Sequence, residues 1–392
     1  MSVPIKLGGR GLRPLSSGSA QPFVGRICSD PRLEVAERGS EILLSDGGDL
    51  PSGFRAYLVR SQHVRPPDDL RDVYRLGEDF HYLAAGDVVR IEPERGAIRA
   101  LYRRNSRSNS FLVTERCDNY CVMCSQPPKP RDDSWLVDEL MEVLPLVSSD
   151  TSEIGITGGE PSLLGDRLIA LIERCKLLLP RTAVHVLSNG RRFSEPTFAR
   201  AIAAVQHPDM MIGIPLYADV ADVHDYVVQA RGAFDQTVRG ILNLKQHGVR
   251  VELRFVIHAD TVDRMVAFAR FVARNLVFVD HVALMGLELM GFARANLDAI
   301  WIDPLDYQRE LREAVDVLDR CGVFVSVYNH PLCVLDPDLQ RFARTSISDW
   351  KNVYLAECER CALRRECGGL FASSQLRRSR GIAAVAADLP RG

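Results

Sequence analysis

Between residues 109 and 321, short apolar runs alternate with longer segments of helical periodicity. NSFLVT (109–114), SEIGIT (152–157), AVHVL (183–187), MMIGIPLY (210–217), VRVELRFVIH (249–258) and DHVALMGLELMG (280–291) read as strands. SWLVDELMEVLPLV (134–147), residues 163–178, EPTFARAIAAV (195–205), FDQTVRGILNLKQHG (234–248), TVDRMVAFARFVARN (261–275) and residues 304–321 read as the helices between and after them. Ser134 is placed to cap the first helix, and Gly248 to close the fourth. Strands alternating with helices of this length imply parallel βαβ units. Six in succession make either a doubly wound sheet or a partial (β/α)6 barrel. Each chemically unusual loop follows the C-terminal end of a strand, where barrel enzymes build their sites, and this favours the α/β partial (β/α)6 TIM-like barrel.

The flanks follow other patterns. Residues 1–105 hold β-like runs, SEILLSD (40–46), FRAYLVR (54–60) and GDVVRIEPERGAIRALYRR (86–104), and the last reads as a hairpin around EPERG. A small β-rich N-terminal domain is expected there, as a recruiting module or as a structural cap of the barrel, since the pattern fits both roles equally. The core is assigned to 106–321. A C-terminal extension over 322–376 begins with strand-like GVFVSVYN, and 377–392 reads as a mobile tail.

Charge narrows the function classes. The 392-residue chain has net charge −2 and a pI near 6.5, which argues against a nucleic-acid or acidic-membrane partner. No apolar run has the length of a membrane span, and MSVPIKLGGRGLRP lacks the order of a secretory signal, so a cytoplasmic location is expected. In that compartment disulfides are disfavoured, and the ten cysteines acquire meaning as ligands or catalytic groups. Cys28, Cys175 and Cys321 are isolated and read as small buried hydrophobes.

Cys117, Cys121 and Cys124 form C-x3-C-x2-C directly after the first strand of the core. Dense thiols on a loop suit an iron–sulfur cluster; structural zinc and unrelated buried thiols are the alternatives. Three ligands on a four-iron cluster leave one iron open to a substrate or cofactor. Gly158-Gly159-Glu160-Pro161 ends the next strand, where glycines permit close backbone approach and the carboxylate can accept hydrogen bonds from an ammonium group. A second set, Cys333, Cys358, Cys361 and Cys367, amounts to a full ligand complement for an auxiliary [4Fe–4S] cluster or a zinc knuckle. Tyr217, His224 and Asp225 lie after the fourth strand, facing the mouth of a barrel; Tyr217 and His224 are weak catalytic candidates, and His224 can also be a loop histidine with structural bonds.

C-x3-C-x2-C after one strand and GGEP after the next resemble the radical S-adenosylmethionine (SAM) enzymes, over roughly 109–300. The resemblance implies that Cys117, Cys121 and Cys124 hold a [4Fe–4S] cluster whose fourth iron is chelated by SAM, and that reductive cleavage yields a 5′-deoxyadenosyl radical. It implies that Met123 packs near the adenine and that Gly158, Gly159 and Glu160 meet the SAM amino group. It places Ser188 and Asn189 at the ribose and Arg254 at the SAM carboxylate, Arg254 being equally readable as a strand arginine in a surface ion pair. The fourth strand ends in IGIPLYADVADVHDYV, a departure from the Ser-Leu-Asp type of ending seen in several such families.

The C-terminal half resembles the auxiliary-cluster extensions of radical SAM peptide-modifying enzymes, with iron–sulfur favoured over zinc; its spacing departs from the longer seven-cysteine SPASM pattern and leaves room for one auxiliary cluster. TERCDNYCVMCSQPPKP with SISDWKNVYLAECERCALRRECGG resembles the His-Xaa-Ser system radical SAM maturases of the HxsC group. That closer resemblance implies a ribosomally made peptide substrate with His-Xaa-Ser repeats, a partner radical SAM maturase, and an electron donor such as a flavodoxin or ferredoxin. A small-molecule substrate in cofactor biosynthesis and a non-catalytic metal scaffold are the competing readings.

Overall fold

A computed structural model describes residues 5–386. The N-terminal region forms a mixed eight-stranded sheet of β1 (Gly8–Arg10), β2 (Leu12–Pro14), β3 (Phe23–Cys28), β4 (Glu41–Ser45), β5 (Ala56–Val59), β6 (Val73–Leu76), β7 (Val88–Glu92) and β8 (Ala97–Tyr102), in the order β1-β8-β7-β3-β4-β5-β6-β2. β3 to β6 pair in parallel and the remaining neighbours are antiparallel. In β4 and β5 alternate residues enter two separate cores, Ile42, Leu44 and Leu58 on one face and Leu43, Tyr57 and Val59 on the other. Burial on both faces is why these strands read as continuous apolar runs rather than as alternation. The hairpin expected around EPERG is β7–β8, closed by Gly96 in the left-handed conformation (φ 56°).

The second sheet is parallel throughout. It contains β9 (Asn109–Leu112), β10 (Glu153–Thr157), β11 (Ala183–Leu187), β12 (Met210–Pro215), β13 (Arg250–Ile257), β14 (His281–Gly286), β15 (Val325–Tyr328) and β16 (Ala343–Arg344), and chain order equals spatial order. That order is the curled partial barrel expected from the sequence. The connecting helices are α1 (Trp135–Val143), α2 (Asp166–Leu178), α3 (Pro196–Ala204), α4 (Ala221–Val228), α5 (Ala233–Gln246), α6 (Ala259–Val262), α7 (Met265–Asn275), α8 (Gly291–Ala295), α9 (Leu297–Ile300) and α10 (Gln308–Arg320). Helix faces such as Phe268, Val272, Leu311 and Val315 share one core with strand residues Ile154, Val186, Ile212, Phe255 and Leu284. Phe255 and Phe268 have ring centroids 4.7 Å apart; truncating either side chain would cost about 3–5 kcal/mol. None of the helices among the described residues is long and apolar enough to cross a membrane.

Several details depart from the sequence reading. The sheet does not end with the sixth unit: GVFVSVYN supplies β15, which pairs in parallel with β14, so the start of the expected C-terminal extension is a barrel strand. The helix at 304–321 is amphipathic and returns the chain to the same sheet edge, so a seventh strand is the natural continuation. Ser134 makes no capping bond; its own N–H is taken by the Asp132 carboxylate at 3.0 Å. The tail expected to be mobile is held through Val385. Ser379 Oγ donates to Asp303 at 2.5 Å, Arg380 N donates to Asp303 at 3.0 Å, and the Val385 carbonyl accepts from Ala362 N at 3.0 Å. Residues 387–392 of that expectation lie outside the described residues.

The N-terminal sheet docks on the helix that follows the first cysteine loop. Arg90 and Arg99, from β7 and β8, converge on the buried Glu139 carboxylate of α1, and both guanidinium groups lie 5.4 Å from the Trp135 ring. Tyr102 and Thr151 share a buried 2.7 Å hydroxyl contact across the same boundary.

Candidate functional site

The site begins with β9 and β10 at their C-terminal ends. Beyond the strands the two chains stay paired: Gly159 N donates to the Thr114 carbonyl at 2.8 Å and Glu160 N to the Arg116 carbonyl at 2.7 Å. A Cβ on Gly159 would lie 2.2 Å from Arg116 O, and one on Gly158 2.5 Å from Thr114 O. Both positions therefore demand glycine because backbone meets backbone there. This pairing joins the GGEP turn to the residue preceding Cys117.

Asp133 fixes the same stretch from behind. Its buried carboxylate accepts from Thr114 Oγ1 at 3.0 Å and from the N–H of Glu115. The cysteine loop then crosses the barrel mouth, where Tyr120 N and Val122 N donate to the Val228 and Val227 carbonyls ending α4, at 3.0 and 2.9 Å. On its far side Phe292 N donates to the Cys124 carbonyl at 2.8 Å, and Asn296 Nδ2 to the Val122 carbonyl at 2.7 Å. Thus helices after the fourth and sixth strands hold a loop that belongs to the first.

Cys117, Cys121 and Cys124 are free, half-buried thiols. Burial raises all three pKa values, that of Cys117 to about 12, and mutual charge repulsion adds to the rise for Cys117 and Cys121. Three thiols close enough to repel as thiolates need a cation among them to ionise together, which a bound iron–sulfur cluster provides. Asn119 N donates to Cys117 Sγ at 3.4 Å. Met123 is buried among Tyr217, Val227, Val228, Ala293 and Ile300, so it forms part of an apolar floor beside the loop.

Glu160 is fully enclosed. Its carboxylate accepts from Ser162 N at 2.9 Å, Ser188 Oγ at 2.6 Å and Asn189 N at 2.5 Å. Burial raises its pKa, and these donors oppose the rise without reversing it. The carboxylate thus ties the turn after the second strand to the turn after the third. Asn189 Nδ2 in turn donates to Asp118 at 2.6 Å, inside the cysteine loop. The cysteine loop, GGEP, Ser188 and Asn189 therefore form one connected unit.

Arg254 points into the barrel. Its Nε and Nη2 donate to Met285 Sδ at 3.4 Å, and Nε lies 3.6 Å from Glu252. The ion pair of the alternative reading is therefore present, with the Glu252 carboxylate buried. Glu252 itself lies 2.7 Å from His281 Nδ1, and His281 Nε2 lies 3.0 Å from Ser326 Oγ. Burial alone would raise the Glu252 pKa, but the His281 hydrogen bond and the Arg254 charge hold it below the usual range.

His224 does not reach the mouth. It is buried beside Tyr217, its Nδ1 accepts from Tyr217 N at 3.2 Å, and burial lowers its pKa to about 4. It stays neutral near pH 7 and shapes the turn after β12. Asp225 accepts from Phe234 N at 2.8 Å and so fixes the entry to α5. Tyr217 is buried within charge range of all three cysteines, which raises its pKa further.

The second group of cysteines lines one cavity: Cys333, Cys358, Cys361 and Cys367 meet there with Leu332, Tyr354 and Leu363. All four thiols are free. Backbone N–H groups of Leu332 and Gly369 point at Cys367 Sγ, and Val385 N at Cys361 Sγ, each at 3.4 Å. Four sulfurs with amide donors around them fit a metal or cluster held by thiolates. Among the described residues no set of three or more ligands is already drawn to the spacing of a single metal ion.

Residues 111–272 match the Radical SAM superfamily model. The matched segment opens within β9 and closes within α7, so it contains the cysteine loop, the GGEP turn, Ser188, Asn189 and Arg254. Solved structures similar to this chain include SuiB from Streptococcus suis bound to S-adenosylmethionine, at 14% identity and TM-score 0.46, covering 56% of this chain and 49% of that one. Native anSMEcpe with bound AdoMet and Cp18Cys peptide is similar at 15% identity and TM-score 0.44, covering 56% and 62%. A radical SAM methyltransferase from Sphaerobacter thermophilus is similar at 14% identity and TM-score 0.42, covering 62% and 69%. The match thus spans about half the length of SuiB.

Reasoning from the sequence missed Arg191. Its Nη1 donates to the Asp118 carbonyl at 2.8 Å and to Asn119 Oδ1 at 2.7 Å, while Nε donates to Gln236 at 2.7 Å. It braces the cysteine loop from the third strand's turn. Its place directly after SNG was the one available signal.

Proposed function

We propose that this chain is an iron–sulfur enzyme that cleaves SAM reductively and modifies a ribosomally made peptide of the His-Xaa-Ser type. The observation that carries the reading is the three-thiol loop at the mouth of the parallel barrel, bonded through residues 114–116 to GGEP. When bound, the cluster supplies the electron that converts SAM to a 5′-deoxyadenosyl radical.

The chain's own residues do the positioning. Cys117, Cys121 and Cys124 hold the cluster, with Asn119, Asp118 and Arg191 fixing the loop. The Gly158–Glu160 backbone lies beside it as a flat edge for the SAM amino group. Glu160 sets the separation between that edge and the Ser188–Asn189 turn at the ribose. Arg254, steered by Glu252, faces inward for the SAM carboxylate. Met123 and Tyr217 form an apolar wall that excludes water. Cys333, Cys358, Cys361 and Cys367 hold an auxiliary [4Fe–4S] cluster that supports the substrate or carries an electron. The peptide assignment rests on the four-cysteine extension and on the resemblance to HxsC-group maturases, with a second maturase and a flavodoxin or ferredoxin as partners.

Anaerobic reconstitution with SAM and dithionite should yield 5′-deoxyadenosine, and co-expression with a His-Xaa-Ser peptide should change that peptide's mass in tandem mass spectrometry. Absence of 5′-deoxyadenosine would sink the chemistry. An unaltered peptide with 5′-deoxyadenosine present would redirect the substrate to a small molecule.

A further inference from the structure

A second cavity lies between the two groups of cysteines. Its floor is made where strands end: Ile257 closes β13, Gly286 closes β14, and Asn329 follows β15. Leu287, also in its lining, packs against the apolar cluster that contains Met123. Pro331, Leu370 and Ile382 line both this cavity and the one that holds the four thiols. One wall is therefore shared with the four-thiol cavity, and Leu287 packs against the same apolar cluster as Cys121.

The opposite wall comes from the C-terminal segment. Phe371, Arg377, Arg378 and Ser379 line the cavity together with Trp301 and Ile302. The lining contains two arginines and no Asp, Glu or Lys. Arg377 stacks 5.3 Å from the Trp301 ring and pairs with Asp298, whose side chain is 90% exposed. An ion pair that open to water holds its arginine weakly, so the guanidinium is available to a competing carboxylate. Arg378 is exposed and forms no ion pair among the described residues. Asn329 adds a held conformation at the floor, with φ at +63° and its amide donating to the Gly286 carbonyl at 3.2 Å.

We infer that this cavity binds the substrate peptide through an apolar side chain set against Trp301, Phe371 and Ile302 and a carboxylate held by Arg377 and Arg378. The inference rests on the peptide reading above and adds the chemistry of the recognised segment. An arginine pair beside an aromatic face favours a carboxylate next to an apolar residue, by bidentate bonds and charge together. It also gives the segment 370–382 a role as the specificity wall.

The test uses the full-length reconstituted protein and fluorescein-labelled peptides of alternating leucine and glutamate, read by fluorescence anisotropy without reductant. C-terminally amidated peptide should bind, and its leucine–glutamine counterpart should bind at least tenfold more weakly. The leucine–glutamine peptide with a free C-terminus separates a terminal carboxylate from a side-chain one: recovery of binding assigns the terminus as the anchor. Arg377→Glu/Arg378→Glu should weaken the acidic peptide at least tenfold while iron content stays at the wild-type level. Equal binding of acidic and amidated neutral peptides to wild-type protein, or an unaltered affinity in the double variant, overturns the inference. Because no SAM is consumed, a failure here is distinct from a failure of the radical chemistry, which 5′-deoxyadenosine reports.

Discussion

The two groups of cysteines are built by opposite means. The first sits on one short loop, and its partners are distant: α4, α8, Asp133 and Arg191 hold the loop through its backbone, with Asn119 N reaching the Cys117 sulfur. The second gathers its thiols from residues 333 to 367, and its donors aim at the sulfurs themselves, from Leu332, Gly369 and Val385. On the proposed reading, a loop braced from outside keeps three ligands in place and leaves a fourth position to SAM. Four thiols around a cavity, with amides directed at them, can close a site. On that reading, the difference teaches that reactivity is arranged by what the scaffold leaves open.

The largest effect should come from Cys117→Ala/Cys121→Ala/Cys124→Ala. Iron should fall by the share of one cluster and 5′-deoxyadenosine should disappear, while the iron of the second group persists. Equal iron in wild-type and variant protein would erase the contrast. Glu160→Gln comes next. It leaves three donors facing a neutral amide that cannot accept from all of them, at a cost of about 1–3 kcal/mol. SAM cleavage should fall sharply with the second group's iron unchanged; an unaltered thermal midpoint would contradict the role assigned to the carboxylate.

A third change tests the other side. A chain ending at residue 376 loses Val385, the donor to Cys361, and Ser379 and Arg380, which fasten the segment to Asp303. Metal retention at the second group should drop about 10–100-fold against a chelator, as outer-shell losses do. Retention at the first group should stay. Arg191→Ala is expected to be milder, lowering iron at the first group and 5′-deoxyadenosine by roughly tenfold through a looser loop. Measuring both clusters in both variants would show whether the two sites are independent.

The smallest effect concerns pH. Burial holds His224 near pKa about 4, against an ordinary 6.5. A histidine depressed in the fold contributes stability that is present above the unfolded value and is lost as pH falls from 6.5 toward 4. Thermal unfolding midpoints should decline over that window, and His224→Gln should flatten the decline. An identical slope in the variant would show that other groups govern it.

The sequence made the repeating units readable, because the strands and helices carry local periodicity and the two motifs are contiguous. Cys117, Cys121, Cys124 and the GGEP turn could be paired because both follow strand ends. What stayed hidden depends on distance along the chain. Arg191 reaches Asp118 across 73 residues, and the Glu252–His281–Ser326 chain links three strands with no local signature. The N-terminal sheet showed its hairpin, but its parallel order β3-β4-β5-β6 joins segments that short β-like runs cannot order. His224 was read as a loop histidine, whereas it stands in α4 and is buried where Tyr217 and Phe234 pack around it. The seventh strand was visible as GVFVSVYN and was grouped with the cysteines that follow it, although the pairing to β14 is set by the helix before it.

The central proposal is that the cluster of the first group keeps one iron open to SAM. Electron paramagnetic resonance of the reduced protein tests it directly, comparing the triple-alanine variant of Cys117, Cys121 and Cys124 with the quadruple-alanine variant of Cys333, Cys358, Cys361 and Cys367. Adding SAM should shift the signal of the quadruple variant, which keeps the first cluster, and leave that of the triple variant unchanged. A shift confined to the triple variant, or none in the quadruple variant, would contradict the account.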